Sequence, residues 1–360
     1  MAALDPRLGK YARLLVERSL GVQPGWQVLI RSTPLARPLI DEVTRLIAVK
    51  GAYPLLRINF TLWPNDDVWA AVAPEELVGE MAPIDRFASD HMDARITVEA
   101  PENTRGAAEL TPERLALGKK AAAPFFARTM TDQVPWVGCQ FPTNALAQEA
   151  GMSLAEFEEF FYGACLRDWD EESKAMHRLL ERFDAAEEVR IVGAETDLTL
   201  SLRGRRGLVD DGHVNLPGGE FFFAPVEDSA EGTILLDIPT ALDGAAVEGI
   251  RLTFHEGRVE EASAEQGEDV LLAALAIDEG ARFLGELGIG CNTGITQPMR
   301  NILYDEKMAG TVHLAVGASY TLVGGKNVSS LHWDLIKDLR GGGRIELDGE
   351  LVQENGTWRI

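Results

Sequence analysis

Apolar residues in the first half of the chain switch between helical spacing and short unbroken runs. Helical spacing covers 6–20, which begins at Pro6 and stops before Gly21, and 35–50. Strands alternating with helices of this length predict βαβ units on a mostly parallel sheet, and hence an α/β domain. The apolar runs that predict its strands lie at 28–30, 53–60, 94–100 and 134–141.

Helices are predicted from 144 to about 183, including an aromatic run at 157–162 that is read as core, or as an interdomain or dimer surface. After residue 184 the pattern changes to many short strands and tight turns, with one long helix predicted over 269–284. This pattern of short strands and tight turns favours an α+β domain with a largely antiparallel sheet. The predicted domains are an N-terminal α/β domain at 1–184 and a C-terminal α+β domain at 185–360.

Composition excludes several classes of protein. The 360 residues include 34 basic and 57 acidic side chains, giving a formal charge of -23. Such a surface repels phosphate backbones and anionic lipids, so nucleic acid and membrane are not expected partners, whereas cations and amines are attracted. The three cysteines form no C-x-x-C pair, and neither a signal-like start nor a membrane-length apolar run is present. A cytoplasmic protein with reduced thiols is therefore expected.

Two histidines lie in patterns typical of metal ligands. If their segment is extended, His332 and Asp334 point to the same side while Trp333 packs inside. An imidazole beside a carboxylate forms part of a cage for a divalent cation, although an H-x-D pair is common by chance. His313 lies in the alternating segment 311–317, on the face with small side chains, which leaves room for a ligand. A half-buried, hydrogen-bonded histidine is the alternative.

Two glutamates have surroundings unlike those of ordinary surface residues. Read as extended, Glu286 shares its side of the chain with Gly288 and Gly290, which carry no side chains to obstruct it. Glu220 is followed by three phenylalanines, so an ionised carboxylate there is costly to desolvate unless it is paired or binds metal. The alternative for Glu220 is a turn residue in water.

Together these residues offer two imidazoles and three carboxylates. The charges of three carboxylates, two divalent cations and a bridging hydroxide sum to zero. Two cations about 3.5–4 Å apart, held by oxygen and nitrogen ligands, are a recurrent hydrolytic arrangement. We therefore predict a dinuclear centre in which a water bridges the ions. Zinc, cobalt and manganese fit such ligands, and magnesium is a further candidate.

Four segments occur in a specific order in the second half of the chain. They read NLPGGE at 215–220, GELGIG at 285–290, DEKMAGTVH at 305–313 and HWD at 332–334. With these motifs the chain resembles the thermophilic-type metallo-aminopeptidases, the family of aminopeptidase T, aminopeptidase S and PepS. The similarity covers most of the chain, from residue 11 to the C-terminal hairpin.

This resemblance implies an N-terminal α/β domain, a C-terminal domain with two metal ions, and a homodimer. The implied activity is hydrolysis of the N-terminal peptide bond of peptides by a water that bridges the two ions. Glu286 or Glu306 would move the proton of that water, and Tyr320 would donate a hydrogen bond to the developing oxyanion. The metal ligands it implies are Glu220, Glu286, His313, His332 and Asp334.

Two other functions agree with the same residues. A metal-dependent amidase acting on non-peptide amides would use identical ligands, so only a substrate profile separates it from an aminopeptidase. A catalytically silent binding or scaffold protein is the second alternative. An intact set of five ligand types argues against the silent protein, and its metal content would decide the matter.

Overall fold

The computed structural model describes residues 5–61, 67–105, 110–130, 134–242 and 244–359. By its internal contacts the chain divides into two compact units. Unit 1 consists of Met1–Leu166 and Gly212–Pro217, and unit 2 of Arg167–Asp211 and Gly218–Ile360. The domain boundary expected at residue 184 remains a prediction.

Unit 1 contains a parallel sheet in the order β2-β1-β3-β4-β8, as the alternation of strands and helices predicts. Its strands are β1 (Gln27–Ser32), β2 (Tyr53–Ile58), β3 (Ala94–Glu99), β4 (Trp136–Gln140) and β8 (Asn215–Leu216). Its helices are α1 (Pro6–Arg13), α2 (Arg37–Val49), α3 (Asp67–Val72), α4 (Glu75–Val78), α5 (Pro83–His91), α6 (Pro112–Met130), α7 (Asn144–Glu149) and α8 (Leu154–Cys165).

The ends of the helices in unit 1 are fixed by local side chains. The carboxylate of Asp5 accepts the backbone N–H of Arg7 at 2.8 Å and caps α1. Ser153 and Glu156 form a capping box at the start of α8, in which the backbone N–H of Ser153 donates to Glu156 Oε2 at 2.9 Å. Three aromatic residues of the run on α8, Phe157, Phe161 and Tyr162, are buried and Phe160 is half-buried, with Phe161 in edge contact with Tyr11 at 4.9 Å between ring centroids. The interpretation of this run as core is thus confirmed.

Unit 2 contains two antiparallel sheets, ordered β14-β13-β10-β6-β5-β18-β19-β20 and β17-β16-β15-β9-β7, and a β11-β12 hairpin. Its helices are α9 (Trp169–Ala185), α10 (Glu268–Ala274) and α11 (Ile302–Asp305). Its first strands are β5 (Glu188–Gly193), β6 (Thr196–Ser201), β7 (Leu208–Asp210), β9 (Glu220–Phe223), β10 (Glu231–Leu236), β11 (Thr240–Leu242) and β12 (Ala245–Val247). The later strands are β13 (Ile250–His255), β14 (Arg258–Ser263), β15 (Leu284–Gly290), β16 (Thr311–Gly317), β17 (His332–Asp338), β18 (Arg344–Leu347), β19 (Glu350–Glu354) and β20 (Thr357–Trp358).

The prediction of one helix over 269–284 is wrong. Helix α10 ends at Ala274, a 3-10 turn spans Glu279–Arg282, and strand β15 begins at Leu284. The apolar residues of this segment have helical spacing only at its start. Asp278 and Gly280 then interrupt the spacing, and the strand β15 that follows is rich in glycine, which disfavours a helix. The predicted combination of a parallel sheet followed by antiparallel sheets is otherwise confirmed.

One hydrophobic core joins side chains from both antiparallel sheets of unit 2. Alternate residues of β16, which include Val312 and Leu314, point into this core, as do Leu287 and Ile289 of β15. The residues between them occupy the opposite face of the five-stranded sheet. No helix in the described part of the chain is both long enough and apolar enough to cross a lipid bilayer.

Candidate metal centre

The face of the five-stranded sheet opposite the core carries the acidic and histidine side chains that the sequence singles out. Because successive residues of a strand alternate between faces, the packing of Leu287, Ile289, Val312 and Leu314 turns their neighbours to this side. Its candidate residues are Glu220 at the start of β9, Glu286 on β15, His313 on β16, and His332 and Asp334 on β17.

Strand register brings these positions, distant in sequence, next to one another. Glu220 pairs with Gly290, and both Glu286 and Asp334 pair with Ala315, so the two carboxylates lie on either side of a small residue. His313 pairs with Gly288. A β-carbon at Gly288 would overlap the His313 ring, so the glycine gives this imidazole its space.

Glu286 is the centre of the cluster, since both imidazoles approach its carboxylate. His313 Nε2 lies 3.3 Å from Glu286 Oε1 and 3.4 Å from Glu220 Oε2. His332 Nε2 lies 3.7 Å from Glu286 Oε2 and 3.5 Å from Asp334 Oδ2. The five predicted ligands thus form one continuous cluster.

Backbone carbonyls orient both imidazole rings. The Nδ1 atom of His313 lies 3.1 Å from the carbonyl oxygen of Glu306, and the Nδ1 atom of His332 lies 2.8 Å from that of Ala318. An Nδ1–H that donates to a carbonyl leaves Nε2 as the ligand atom, which is the usual second contact of a metal-binding histidine. Both Nε2 atoms face the carboxylates.

The donor set fits divalent cations. Glu220 Oε2 and Glu286 Oε2 are buried and have no hydrogen-bond partner among the described residues. Such oxygens are costly in a protein interior unless a cation satisfies them. Ligand atoms lie within 4.8 Å of one another in two groups that share His313, namely Glu220, Glu306 and His313, and Glu286, His313 and Asp334.

The carboxylates and imidazoles shift each other's pKa strongly. Burial raises the pKa of Glu286 and of Glu220. Burial opposes charging of His313, but its hydrogen bond to Glu286 and the nearby carboxylates outweigh this and raise the pKa to about 10. For His332 burial is likewise outweighed, mainly by Asp334, and the pKa rises to about 10, while His332 in turn lowers the pKa of Asp334 to about 2 despite burial. His332 and Asp334 therefore stabilise each other's charged forms.

Lys307 is a residue of the cluster that sequence reasoning did not identify as buried. Its side chain is fully buried, and its Nζ atom lies 2.9 Å from Glu220 Oε1 and forms a close ion pair with Glu306. Asp210 on β7, which pairs with Glu220 in the sheet, lies 4.0 Å from the same Nζ atom. Nothing in the local pattern separates this lysine from a surface lysine, because its burial depends on contacts with two other segments, β7 and β9.

Glu306 and Tyr320, the two remaining residues predicted to take part in catalysis, also lie at the cluster. The Glu306 carboxylate contacts Lys307 and belongs to one of the two donor groups. The Tyr320 ring lies 5.0 Å from the His332 ring and 5.7 Å from that of Phe222, between ring centroids. Burial and the nearby carboxylates, Glu286 first, raise the pKa of the Tyr320 phenol far above its usual value, so its hydroxyl keeps its proton.

The described residues thus combine a parallel sheet with helices, antiparallel sheets, and a buried carboxylate and histidine cluster that could hold a metal ion. Residues 4–358 match the family model described as Thermophilic metalloprotease (M29), and the chain belongs to this family. The predicted family is therefore confirmed, as is the prediction of an enzyme that hydrolyses peptide bonds. Membership also implies a metal cofactor.

Named relatives match along nearly the whole chain. Aminopeptidase AmpS of Bacillus subtilis is 29% identical, covering 99% of this chain and 100% of the relative. Aminopeptidase T of Thermus thermophilus is 28% identical, covering 99% and 97%. The solved structure of wild-type AmpT from Thermus thermophilus superposes with a TM-score of 0.86 at 24% identity over 99% of this chain and 100% of that one, which shows the same fold.

Proposed function

We propose that the protein is an aminopeptidase that removes the N-terminal residue from peptides, using two divalent cations held by five ligands. The observation that carries the proposal is the buried cluster in which Glu286 faces both His313 and His332 while one oxygen of Glu286 and one of Glu220 lack a hydrogen-bond partner among the described residues. The names of the relatives, all aminopeptidases, support the same substrate class. The proposed ligands are Glu220, Glu286, His313, His332 and Asp334.

The charge of the cluster supports two ions in place of one. With the carboxylates ionised, Lys307 protonated and both imidazoles neutral, as metal ligands are, the cluster carries a formal charge of −4. Two divalent cations balance this charge, and zinc, cobalt, manganese or magnesium would do so. The carboxylates are Asp210, Glu220, Glu286, Glu306 and Asp334.

When bound, the cations would lower the pKa of a shared water to about 7 and polarise the scissile carbonyl. Glu286 or Glu306 would then carry the proton of that water to the departing amine. Lys307 keeps the Glu306 carboxylate in place through their ion pair, so Glu306 can accept a proton without turning away. The Tyr320 hydroxyl, which keeps its proton, would donate a hydrogen bond to the developing oxyanion.

An acidic cluster also suits the free amine of a peptide, which is the group that distinguishes an exopeptidase substrate. The negative charge favours a protonated or metal-bound α-amine over a blocked one. The experiment is a comparison of amino-acid anilides with their N-acetylated forms, before and after dialysis against chelator and after restoring zinc, cobalt or manganese. We expect hydrolysis of the free anilides only, lost with the metal and recovered with it. Activity that survives full metal removal, or equal turnover of blocked anilides, would refute the proposal.

We also propose that the enzyme is a cytoplasmic homodimer. The three cysteines, Cys139, Cys165 and Cys291, form no disulfide, which agrees with a reducing compartment. The dimer rests on the family resemblance. Light scattering of the purified protein tests it, and a mass near 39.3 kDa at working concentration would contradict it.

A further inference from the structure

The chain between strands β16 and β17, residues 318–331, forms a closed loop beside the candidate metal centre. The two ends of the loop meet, because Gly317 pairs with His332 and the Ala318 N–H donates to the Leu331 carbonyl at 2.7 Å. A loop of this length with adjacent ends is an Ω-loop, a compact surface segment that is packed by its own side chains and is frequently functional.

Two contacts connect this loop to the proposed chemistry. The Ala318 carbonyl lies 2.8 Å from Nδ1 of His332, which leaves Nε2 of that ring facing Glu286. The ring of Tyr320 lies 5.0 Å from the His332 ring, between centroids. A shift at the start of the loop would therefore displace a proposed metal ligand and the proposed oxyanion donor together.

Asn327 closes the loop on itself through its backbone. Its N–H donates to Ser319 Oγ at 2.9 Å, and its carbonyl accepts the N–H of Ser319 at 3.1 Å. The N–H of Gly325 donates to the Tyr320 carbonyl at 3.0 Å. These bonds fix the backbone on both sides of Tyr320.

The side-chain amide of Asn327 joins this closed loop to the rest of unit 2. Its Nδ2 atom donates to the Gly317 carbonyl at 2.6 Å and to the Gly280 carbonyl at 2.8 Å. Gly317 ends β16 immediately before Ala318, and Gly280 lies in the 3-10 turn that precedes β15. One amide thus satisfies backbone acceptors on two segments, and among side chains of this size only asparagine offers two N–H donors.

Two glycines let the loop lie close to strand β15 and to the turn before it. A β-carbon at Gly280 would overlap the Val328 carbonyl, and one at Gly285 would overlap the Ala318 carbonyl. The loop is therefore packed tightly against the strand that carries Glu286.

Two carboxylates outside the loop hold its second half. Glu227 Oε1 accepts the Lys326 N–H at 2.8 Å, and Asp278 Oδ2 accepts the Ser330 N–H at 2.6 Å. Both bonds are made after the turn that follows Tyr320. The asparagine amide, by contrast, reaches the residue next to the start of the loop.

We propose that Asn327 is a positioning residue for the aminopeptidase reaction, an inference that rests on the proposed function. By fixing the backbone of 317–320, it places both the carbonyl that orients His332 and the hydroxyl of Tyr320. Asn327 acts through these groups and not by contact with the substrate.

Two variants of Asn327 test the proposal on amino-acid anilides. Asn327→Ala removes both donors, and Asn327→Asp keeps the shape of the side chain but places a carboxylate against two carbonyls. We expect kcat to fall about 10- to 100-fold in each, with KM changed less than about threefold, because orientation is lost and not substrate binding. Val328→Ala, at the exposed neighbouring residue of the same loop, is the matched control and should keep the kcat of the parent.

A double-mutant cycle separates positioning from general damage to the fold. If Asn327 acts through Tyr320, Asn327→Ala should lower kcat by a smaller factor in the Tyr320→Phe protein than in the parent. Ile250→Val, a conservative change in the core of unit 2, is the reference for lost stability. It should lower the denaturation midpoint and leave kcat unchanged.

Two further measurements do not depend on turnover. In the metal-free protein, the backbone amides of Ser319 and Gly325 should exchange hydrogen faster in Asn327→Ala than in the parent. Zinc affinity, measured by competition with a chelator, should fall about 10-fold in the same variant, because His332 loses its fixed orientation. Ser319→Ala, which removes one acceptor of the loop, is a milder variant that should change both properties in the same direction if the Asn327 variants do not fold.

Three results would overturn the proposal. These are parental kcat in both folded Asn327 variants, equal factors in the parent and in Tyr320→Phe, and unchanged amide exchange and zinc affinity. If the parent itself hydrolyses no anilide, the proposed function fails instead, and amide exchange and zinc affinity then decide whether Asn327 positions His332.

Discussion

The acidic cluster of unit 2 and the arginines of unit 1 are two ways in which like charges are grouped in one protein. On the antiparallel sheet, carboxylates from several strands converge on two imidazoles, and Lys307 supplies a buried ammonium. On the parallel sheet, Arg31 and Arg95 lie against the ring of Phe125, and Arg57 donates to Asp85. Buried like charges are stable only when opposite charge joins them.

The difference between the two regions therefore indicates the role of each. Unit 2 has an excess of negative charge and imidazole nitrogens aimed at it, which is a ligand set for metal ions. In unit 1 the guanidinium groups lie against aromatic rings and beside Asp85, which is an arrangement that stabilises cations within the fold. A chelator should therefore change the properties of the unit 2 cluster and leave the arginines of unit 1 unaffected.

The largest expected effect is the loss of peptidase activity in Glu286→Gln. This nearly isosteric change removes the charge that both imidazoles face, so turnover of amino-acid anilides should fall about 1000-fold. The control is Glu261→Gln, an exposed glutamate on a strand of the same unit, which should retain full activity. Full activity in Glu286→Gln would contradict the assignment of Glu286 as a metal ligand.

Next in size is the effect of Lys307→Met on stability. Removal of the buried ammonium leaves Glu220 and Glu306 without their counter-charge, so the free energy of unfolding in chelator should fall by about 3 kcal/mol. Added zinc should recover part of this loss, since the ions supply the missing positive charge.

Lys326→Met, at an exposed lysine of the same unit, serves as the reference and should change stability by less than about 0.5 kcal/mol. Denaturant titration with and without zinc measures both variants. Equal small changes in the two proteins would show that Lys307 has no electrostatic role in the cluster.

A smaller effect is expected from Gly288→Ala. The new methyl group would displace the His313 ring, and a ligand moved by about 1 Å can reduce turnover about 100-fold. Gly341→Ala, where the added carbon meets no atom within 4 Å, is the comparison. Anilide kinetics at saturating zinc should separate the two, and equal kinetics would argue against His313 as a ligand.

The smallest effect sharpens the contrast between the two regions. Arg57→Gln removes a half-exposed ion pair with Asp85, so the free energy of unfolding should fall by less than about 1 kcal/mol while anilide hydrolysis stays unchanged. Loss of anilide hydrolysis in a folded Arg57→Gln protein would show that the two regions are not independent.

Much of the candidate metal centre could be predicted because strand alternation is a local property. The spacing around His313 and around Glu286 assigned the correct face to each residue, and H-x-D placed His332 and Asp334 on one side. These predictions needed only the period of a strand and the residues on either side.

What could not be predicted depends on contacts between distant segments. The burial of Lys307 requires Glu220 and Asp210 from two other strands, and the grouping of Arg31, Arg57 and Arg95 requires the register of β1 with β2 and β3. The predicted helix over 269–284 was too long. Asp278 and Gly280 interrupt its apolar spacing, but both residue types are also tolerated near helix ends, so they did not mark where α10 stops.

The most direct test of the metal centre is anomalous diffraction from crystals soaked in zinc, recorded on both sides of the zinc absorption edge. The account predicts two peaks in unit 2, each within coordination distance of Glu286 or His313 and together contacting all five proposed ligands. A map with no peak among these side chains, or with zinc bound only at the protein surface, would contradict it.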